Sequence, residues 1–265
     1  MADTSLLKNF NATCGGGLVL NKDVYDMQPG EALQLINFEP STEGGYRRLN
    51  GTTKYNSTIV PQVALANERI QMSAIFNDKI IVARGGTVSY GGTSGSWTSL
   101  ATSQGATYTY DFDKFNFSGT SKIIIATGEA AAFTVNTSFA VDVINATGGG
   151  TAPTNPKFVK TFANHVFYGG MSNSTHSILF SVPFSEDNFT SASGAGEIKV
   201  GDVVTGLKVF RDELFIFCQR KIYKLTGTSS TNFALAEVAK NVGTIAPHSI
   251  QELGGDLIFL AADGL

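Results

Sequence analysis

Five times along this chain an apolar run meets a tight polar turn, then a second alternating run, then a stretch rich in Gly, Ser, Thr and Asn. The five cores read FNDKIIVARGG, SGTSKIIIATG, FANHVFYGG, FRDELFIFCQR and LGGDLIFLAADG. Aligned on one apolar anchor, they place Ile80, Ile123, Val166, Leu214 and Leu257 in register, with successive separations of 43, 43, 48 and 43 residues. A single hairpin-based unit of this length cannot hide both of its apolar faces. Stacking such units around an axis does hide them, and a period of about 40–45 residues marks a propeller blade. The expectation is an all-β chain, a β-propeller of antiparallel hairpin blades over 61–265, with about four and a half blades present. The last hairpin stops one residue after Asp263-Gly264, so the blades are expected to be incomplete at the C-terminal end.

Within the repeats, Lys79 to Arg84 should pair with Thr87 to Tyr90 across Gly85-Gly86, and Lys122 to Ala126 with Ala131 to Asn136. His165 to Tyr168 should pair with Ser177 to Val182. Glu213 to Cys218 should pair with Ile222 to Thr226, across a turn at Gln219-Arg220-Lys221. FALAEVAKNV, 233–242, fits a helix weakly but takes a strand's place in the repeat, and a strand is expected. Trp97 follows Gly91, Gly92 and Gly95, and its ring should cover a blade edge or a gap between blades. Phe162, Phe167, Phe180, Phe210, Phe215, Phe217 and Phe259 recur in the strands, as packing between stacked sheets requires.

Residues 1–60 do not share the repeat and read as an extension of short strands and one helical turn. Leu18-Val19-Leu20 is a short strand. Pro29 and Glu31 suit a helix start, with Ala32, Leu33, Leu35 and Ile36 as its apolar stripe. Gly44-Gly45 marks a turn, and Tyr46 to Leu49 a strand ending at Asn50-Gly51.

The composition bounds the chemistry. The chain is 42% hydrophobic and 15% charged, enough to build a core and too little charge for a surface of ion-paired helices. Its net charge of −3 shows no footprint for nucleic acid, and Arg47-Arg48 and Arg220-Lys221 read as solvated pairs. Cys14 and Cys218 are too few for a disulfide framework and are expected to be reduced. The N-terminus lacks the apolar core of a signal peptide, and no apolar run could span a bilayer. Eight Asn-x-Ser/Thr triplets, among them Asn56-Ser57-Thr58 and Asn173-Ser174-Thr175, reflect turn composition in a chain without a secretory leader.

No catalytic constellation emerges. His165, His176 and His248 lack metal-ligand spacing. DFDKFN, 111–116, lacks the Gly and distal Glu of a calcium loop. Asp111, Asp113, Asp212, Asp256 and Asp263 could ring a central channel as in propeller glycosidases, but three sit at turns, where Asp bonds its own backbone. No catalytic, cofactor or metal residue is assigned, and no enzyme activity is expected.

Two stretches resemble tailed-phage virion proteins. GGLVLNKDVYDMQPGEALQLINFEPSTEGGYRRLNGTTKY carries one pattern, in Gly16, Gly17, Leu18, Pro29, Gly30, Glu31, Ala32, Asn37, Gly44, Gly45, Arg47, Arg48 and Gly51. GTIAPHSIQELGGDLIFLAADGL carries a second, in Gly243, Ser249, Ile250, Phe259, Leu260, Asp263 and Gly264. The type most similar is the tail nozzle, or tail tubular protein B, of short-tailed phages. The resemblance implies a structural virion protein made in the host cytoplasm. It would form a homohexameric ring below the tail adaptor, carry fibres or spikes, and let the genome DNA pass as cargo. Two other functions fit the residues: a propeller that binds or cleaves host-surface carbohydrate, and an intracellular protein-interaction propeller.

Overall fold

The computed structural model describes residues 16–19, 21–41, 45–62, 69–262 and 264. The chain divides into two compact units, Met1–Lys54 and Tyr55–Leu265.

In the first unit, β1 (Gly17–Leu18) runs parallel to β2 (Glu31–Ala32), and β3 (Phe38–Pro40) antiparallel to β4 (Tyr46–Arg48). The helix expected after Pro29 does not form. Gly30 takes φ 93°, a left-handed value that a helix start cannot use, and Glu31 enters a strand. The Glu31 carboxylate instead turns back to accept from the Gln28 N–H at 2.8 Å and pairs with Lys22 at 2.6 Å. Lys22 and that backbone donor hold its carboxyl below the usual range. The helical turn in this unit lies earlier, a 3-10 turn at Val24–Asp26 capped by Asp23. Leu20, Gly44 and Cys14 lie outside the described residues. Asn50-Gly51 follows β4 as irregular chain instead of a turn.

Among the described residues the second unit holds four successive four-stranded antiparallel sheets and a two-stranded one. The first is β5 (Ile70–Phe76), β6 (Lys79–Arg84), β7 (Thr87–Gly91) and β8 (Thr98–Ala101). The second is β9 (Asp111–Phe117), β10 (Thr120–Ala126), β11 (Phe133–Asn136) and β12 (Val141–Val143). The third is β13 (Phe158–Phe162), β14 (His165–Gly169), β15 (Ser177–Phe180) and β16 (Gly196–Lys199). The fourth is β17 (Val204–Phe210), β18 (Glu213–Cys218), β19 (Lys221–Thr226) and β20 (Ala234–Lys240). β21 (Gln251–Leu253) and β22 (Asp256–Ile258) form the last sheet. Each sheet is a meander whose strands pair in chain order, the connectivity of a β-propeller blade. The 233–242 segment is a strand as expected, whereas Lys221 opens β19 and leaves only Gln219-Arg220 in the turn.

The second strand of each of the first four blades is buried on both faces, and its alternate residues pack on different neighbours. Ile123 and Ile125 face the first blade beside Ile81 and Val88, while Ile124 and Ala126 face the third beside Val159, Val166 and Tyr168. Phe167 packs on Leu214 and Ile216 of the fourth blade. Phe217 packs with Ile250, Leu257 and Phe259 of the fifth sheet. Burial on two sides explains why these strands read as unbroken apolar runs such as KIIIA and ELFIFC.

Every first hairpin turns through two residues with positive φ: Asn77-Asp78, Ser118-Gly119, Ala163-Asn164, Arg211-Asp212 and Gly254-Gly255. That twist matches the flanking strands, as in type I′ turns. Phe76, Phe117, Phe162 and Phe210 precede the turns in four blades and Leu253 in the fifth. This corrects one of the five anchors. Ile80, Val166, Leu214 and Leu257 are each second after the turn, but Ile123 is fourth, and Ser121 holds the equivalent place. The polar residues Thr120 to Lys122 belong to β10 and not to its turn. Ile123 keeps its face because the displacement is two residues, one full strand period.

Residues 56–60 run along the first blade. Asn56 Nδ2 donates to Gly92 O at 3.0 Å and Gly95 O at 3.1 Å, and Trp97 Nε1 donates to Thr58 O at 2.9 Å. The Trp97 ring covers Gly91 so closely that a Cβ there would lie 2.6 Å from it.

Cys218 is a free, buried thiol on β18, and burial pushes its pKa up to about 12, with Asp202 adding to the rise and Lys221 opposing it. A chromogenic disulfide reagent should therefore leave Cys218 unmodified in the folded protein at pH 8 and label it once urea unfolds the chain. Fast labelling of Cys218 before unfolding would contradict this burial.

Candidate functional site: the axial funnel

The innermost strands β9, β13 and β17 lie side by side, as blades converging on an axis require. At the ends where the chain enters these strands is a cavity of about 420 Å³. Most of its lining comes from the segments that lead into successive blades, Arg69, Thr107–Thr109, Lys157-Phe158, Val203–Thr205 and Pro247-His248, with Ile245 and, from the β18–β19 turn, Gln219 completing it. The volume lies within the ordinary range for small-molecule sites. A larger cavity of about 670 Å³ lies to one side, between Gln219-Arg220 and Phe259–Ala262.

Two of the funnel's polar groups, Arg69 and Lys157, only donate, and its hydroxyls and the Gln219 amide both donate and accept. Lys157 Nζ sits over the Tyr108 ring, 4.0 Å from its centroid, with no hydrogen bond or ion pair among the described residues. One Arg69 nitrogen donates to Thr107 O. Thr205 occupies a bulge between Val204 and Gly206, and its hydroxyl is buried without a partner. No Asp or Glu lines the cavity among the described residues. Two acids stand behind the wall: Glu129 accepts from the Thr107 N–H at 3.3 Å, and Asp202 from the Val203 N–H at 2.7 Å.

The carboxylates considered from the sequence do not meet there. Asp111 and Asp113 stand on β9 and cap the edge of β13 that no described strand pairs. Asp111 Oδ2 accepts from the Val159 N–H at 3.0 Å, and its Oδ1 pairs with Lys160 at 2.8 Å. Asp113 Oδ2 accepts from the Thr161 N–H at 2.6 Å and the Thr161 hydroxyl at 2.7 Å. These carboxylates replace a neighbouring strand's carbonyls and tie the second blade to the third. Asp187 extends the seam, accepting from the N–H groups of Asn145, Ala146 and Thr147, and Lys122 pairs with Glu186. The Tyr168 hydroxyl donates to Glu186 O at 3.0 Å, and burial lifts its phenol well above the ordinary tyrosine range. Asp212 is a turn residue at φ 58°, Asp256 is exposed at the start of β22, and Asp263 lies outside the described residues.

The three histidines are also apart. His176 is exposed beside Thr175, and His248 stands at the funnel. His165 is buried among Phe167, Phe180 and Phe233. Its Nδ1–H donates to Ser181 O at 2.6 Å, which leaves Nε2 buried and unpaired. Burial lowers its pKa below the ordinary 6.5, against a smaller opposing effect of the Ser181 bond. The unfolded chain therefore binds this proton more readily than the folded one. Stability from the neutral ring is full above pH 6.5 and declines as pH falls below it, by at most about 1.4 kcal/mol per pH unit. Urea denaturation at pH 7.5 and 5.5 should show this decline, and His165→Gln should reduce it. An unchanged pH slope in that variant would contradict the assignment.

The sequence reading missed Arg69, Lys157 and Thr205. A signal was present, because Lys157, Thr205 and His248 each stand five residues before the position that precedes a blade's first turn, as Phe162, Phe210 and Leu253 mark it.

No family model and no curated protein matches the chain. Among solved structures, it is similar to the extracellular domain of BT4673 from B. thetaiotaomicron, at 10% identity and TM-score 0.50, over 84% of this chain and 30% of that one. BBS1N in complex with ARL6DN matches at 9% identity and TM-score 0.48, over 78% of this chain and 65% of that one. PorZ, a surface component of the type-IX secretion system of Porphyromonas gingivalis, matches at 14% identity and TM-score 0.45, over 76% of this chain and 26% of that one. The chain spans less than two thirds of the length of each. The fold is a β-propeller. At these identities the likeness is one of fold alone.

Proposed function

We propose that the chain is a non-enzymatic structural protein of a phage tail, a nozzle-like ring component whose blades form a rigid platform for fibres or spikes. The observation that carries this reading lies in the first unit, where the residues that resemble phage virion proteins also shape the backbone. A Cβ on Gly16 would lie 2.6 Å from Glu31, and Gly30 needs its positive φ. Asn37 turns at φ 61° and its carbonyl accepts from the Leu49 N–H at 2.9 Å. Arg47 pairs with Glu39 at 2.5 Å, and the Tyr46 hydroxyl lies 2.7 Å from both Gly17 O and Gly30 O. Residues with such roles cannot drift freely, so a shared pattern in them supports shared ancestry more than composition would. The net charge of −3 agrees with a conduit that does not retain passing phosphates.

Antibody against the purified chain tests the reading on phage particles by electron microscopy. Label confined to the tail vertex, with sixfold rings from the purified protein, is the expected result. Unlabelled particles, or tight salt-dependent binding of duplex DNA, would overturn it. A second reading, a carbohydrate-binding propeller, draws on Tyr108 and the donors of the funnel, and a glycan array separates the two.

A further inference from the structure

We propose that the axial funnel is a binding site for a small ligand bearing a tetrahedral oxyanion, a phosphate or sulfate group, held by Lys157 and Arg69 with the Thr205 hydroxyl as a further donor. The inference stands apart from the tail reading and rests on three features of the cavity.

Its charge is one-sided. Arg69 and Lys157 are the charged residues that line it, and no Asp or Glu does so among the described residues. Elsewhere in this unit Lys122 pairs with Glu186, Lys160 with Asp111, Lys221 with Glu237 and Lys224 with Glu213, and Lys208 on β17 is the other half-buried lysine without an ion pair among the described residues. Lys157 is half-buried, yet its ammonium meets only the face of Tyr108. Three N–H donors and a full charge thus remain for a guest, and a guanidinium that spends one donor on Thr107 O retains others.

Its donors converge through the pseudo-symmetry of the fold. Lys157, Thr205 and His248 occupy the same place in the third, fourth and fifth sheets, so the blades present them toward one axis. Gln71 holds that place in the first blade, and Phe112 in the second.

One donor already lacks an acceptor. Burying a hydroxyl without a partner costs about 1–3 kcal/mol, and Thr205 Oγ1 lies unpaired in the lining. The hydroxyl is shielded from solvent as it stands, and a rotation of Thr205 about χ1 would bring it to the cavity wall, where an anion oxygen accepts from it. The cavity's roughly 420 Å³ far exceeds a bare phosphate, which leaves room for the body of a phosphorylated or sulfated small molecule.

The test is isothermal titration of the whole chain, in chloride buffer, with inorganic phosphate, inorganic sulfate, glucose 6-phosphate and glucose. One saturable site for the oxyanions and for glucose 6-phosphate is expected, with none for glucose. Lys157→Met keeps the apolar stem over Tyr108 and should weaken binding about tenfold, as should Arg69→Gln. Thr205→Val should cost about threefold. Lys240→Met removes a cation 77% exposed on β20 and should change nothing. No saturable uptake, equal binding of glucose, or an equal loss in Lys240→Met would overturn the proposal. So would unchanged affinity in Arg69→Gln, an exposed position whose replacement tests the site even where Lys157→Met fails to fold.

Discussion

Phe167→Ala is expected to destabilise the propeller unit by about 3–5 kcal/mol, the usual cost of emptying a large aromatic site in a packed interior. Phe167 is fully buried on β14, with Phe180, Phe233 and Phe162 at centroid distances of 5.3, 5.7 and 6.0 Å. Its ring fills the seam between the third and fourth blades, opposite Leu214, Ile216 and Leu225. These partners belong to two sheets whose backbones are held by their own ladders, so they cannot close over the void without moving a blade. Urea denaturation monitored by circular dichroism reads the change. A loss under about 1 kcal/mol would mean the seam relaxes freely, against the close packing described. Because each blade touches only its neighbours, hydrogen exchange should rise most in the third and fourth blades.

Asp113→Ala is expected to cost about 2 kcal/mol and to act on one boundary. It strips the acceptor from the Thr161 N–H and hydroxyl together. A hydrogen bond to a charged group contributes about 1.5–3 kcal/mol, and partial hydration of this half-buried carboxylate reduces the value for the pair. The site-specific sign is kinetic. The amides of Val159 and Thr161 face away from β14 and owe their protection to Asp111 and Asp113. They should exchange slowly in the native protein, and Thr161 much faster in Asp113→Ala. Asp113→Asn should recover part of the protection, since its amide oxygen still accepts. Equal exchange at Thr161 in all three proteins would remove these carboxylates from the account of how the second and third blades join.

The two variants also separate what was legible from what was not. The apolar seam around Phe167 follows from the pattern HVFYG, because a strand covered on both faces has no solvent side to mark with polar residues. Asp111 and Asp113 look like turn residues in the same text. They become edge caps only because β13 lies beside β9, a neighbour more than forty positions away in the chain. The slipped anchor at Ile123 has a local cause: Ser118-Gly119 is followed by Thr120, Ser121 and Lys122, so turn and strand share one polar composition there. The helix expected after Pro29 gave way to a tertiary preference, since Glu31 satisfies Gln28 and Lys22 and pairs with β1.

The order of the amino acids was sufficient for the all-β class, the sequential hairpins and the approximate limits of the second and third strands of each blade, because these depend on alternation and turn chemistry within a few residues, whereas the first strand of each blade was not read from it. The funnel, the partners of the carboxylates and the solitary state of Lys157 emerged only from the folded chain. Those properties depend on which groups from separate blades arrive at the same point, and distance through space is not written in the spacing along the chain.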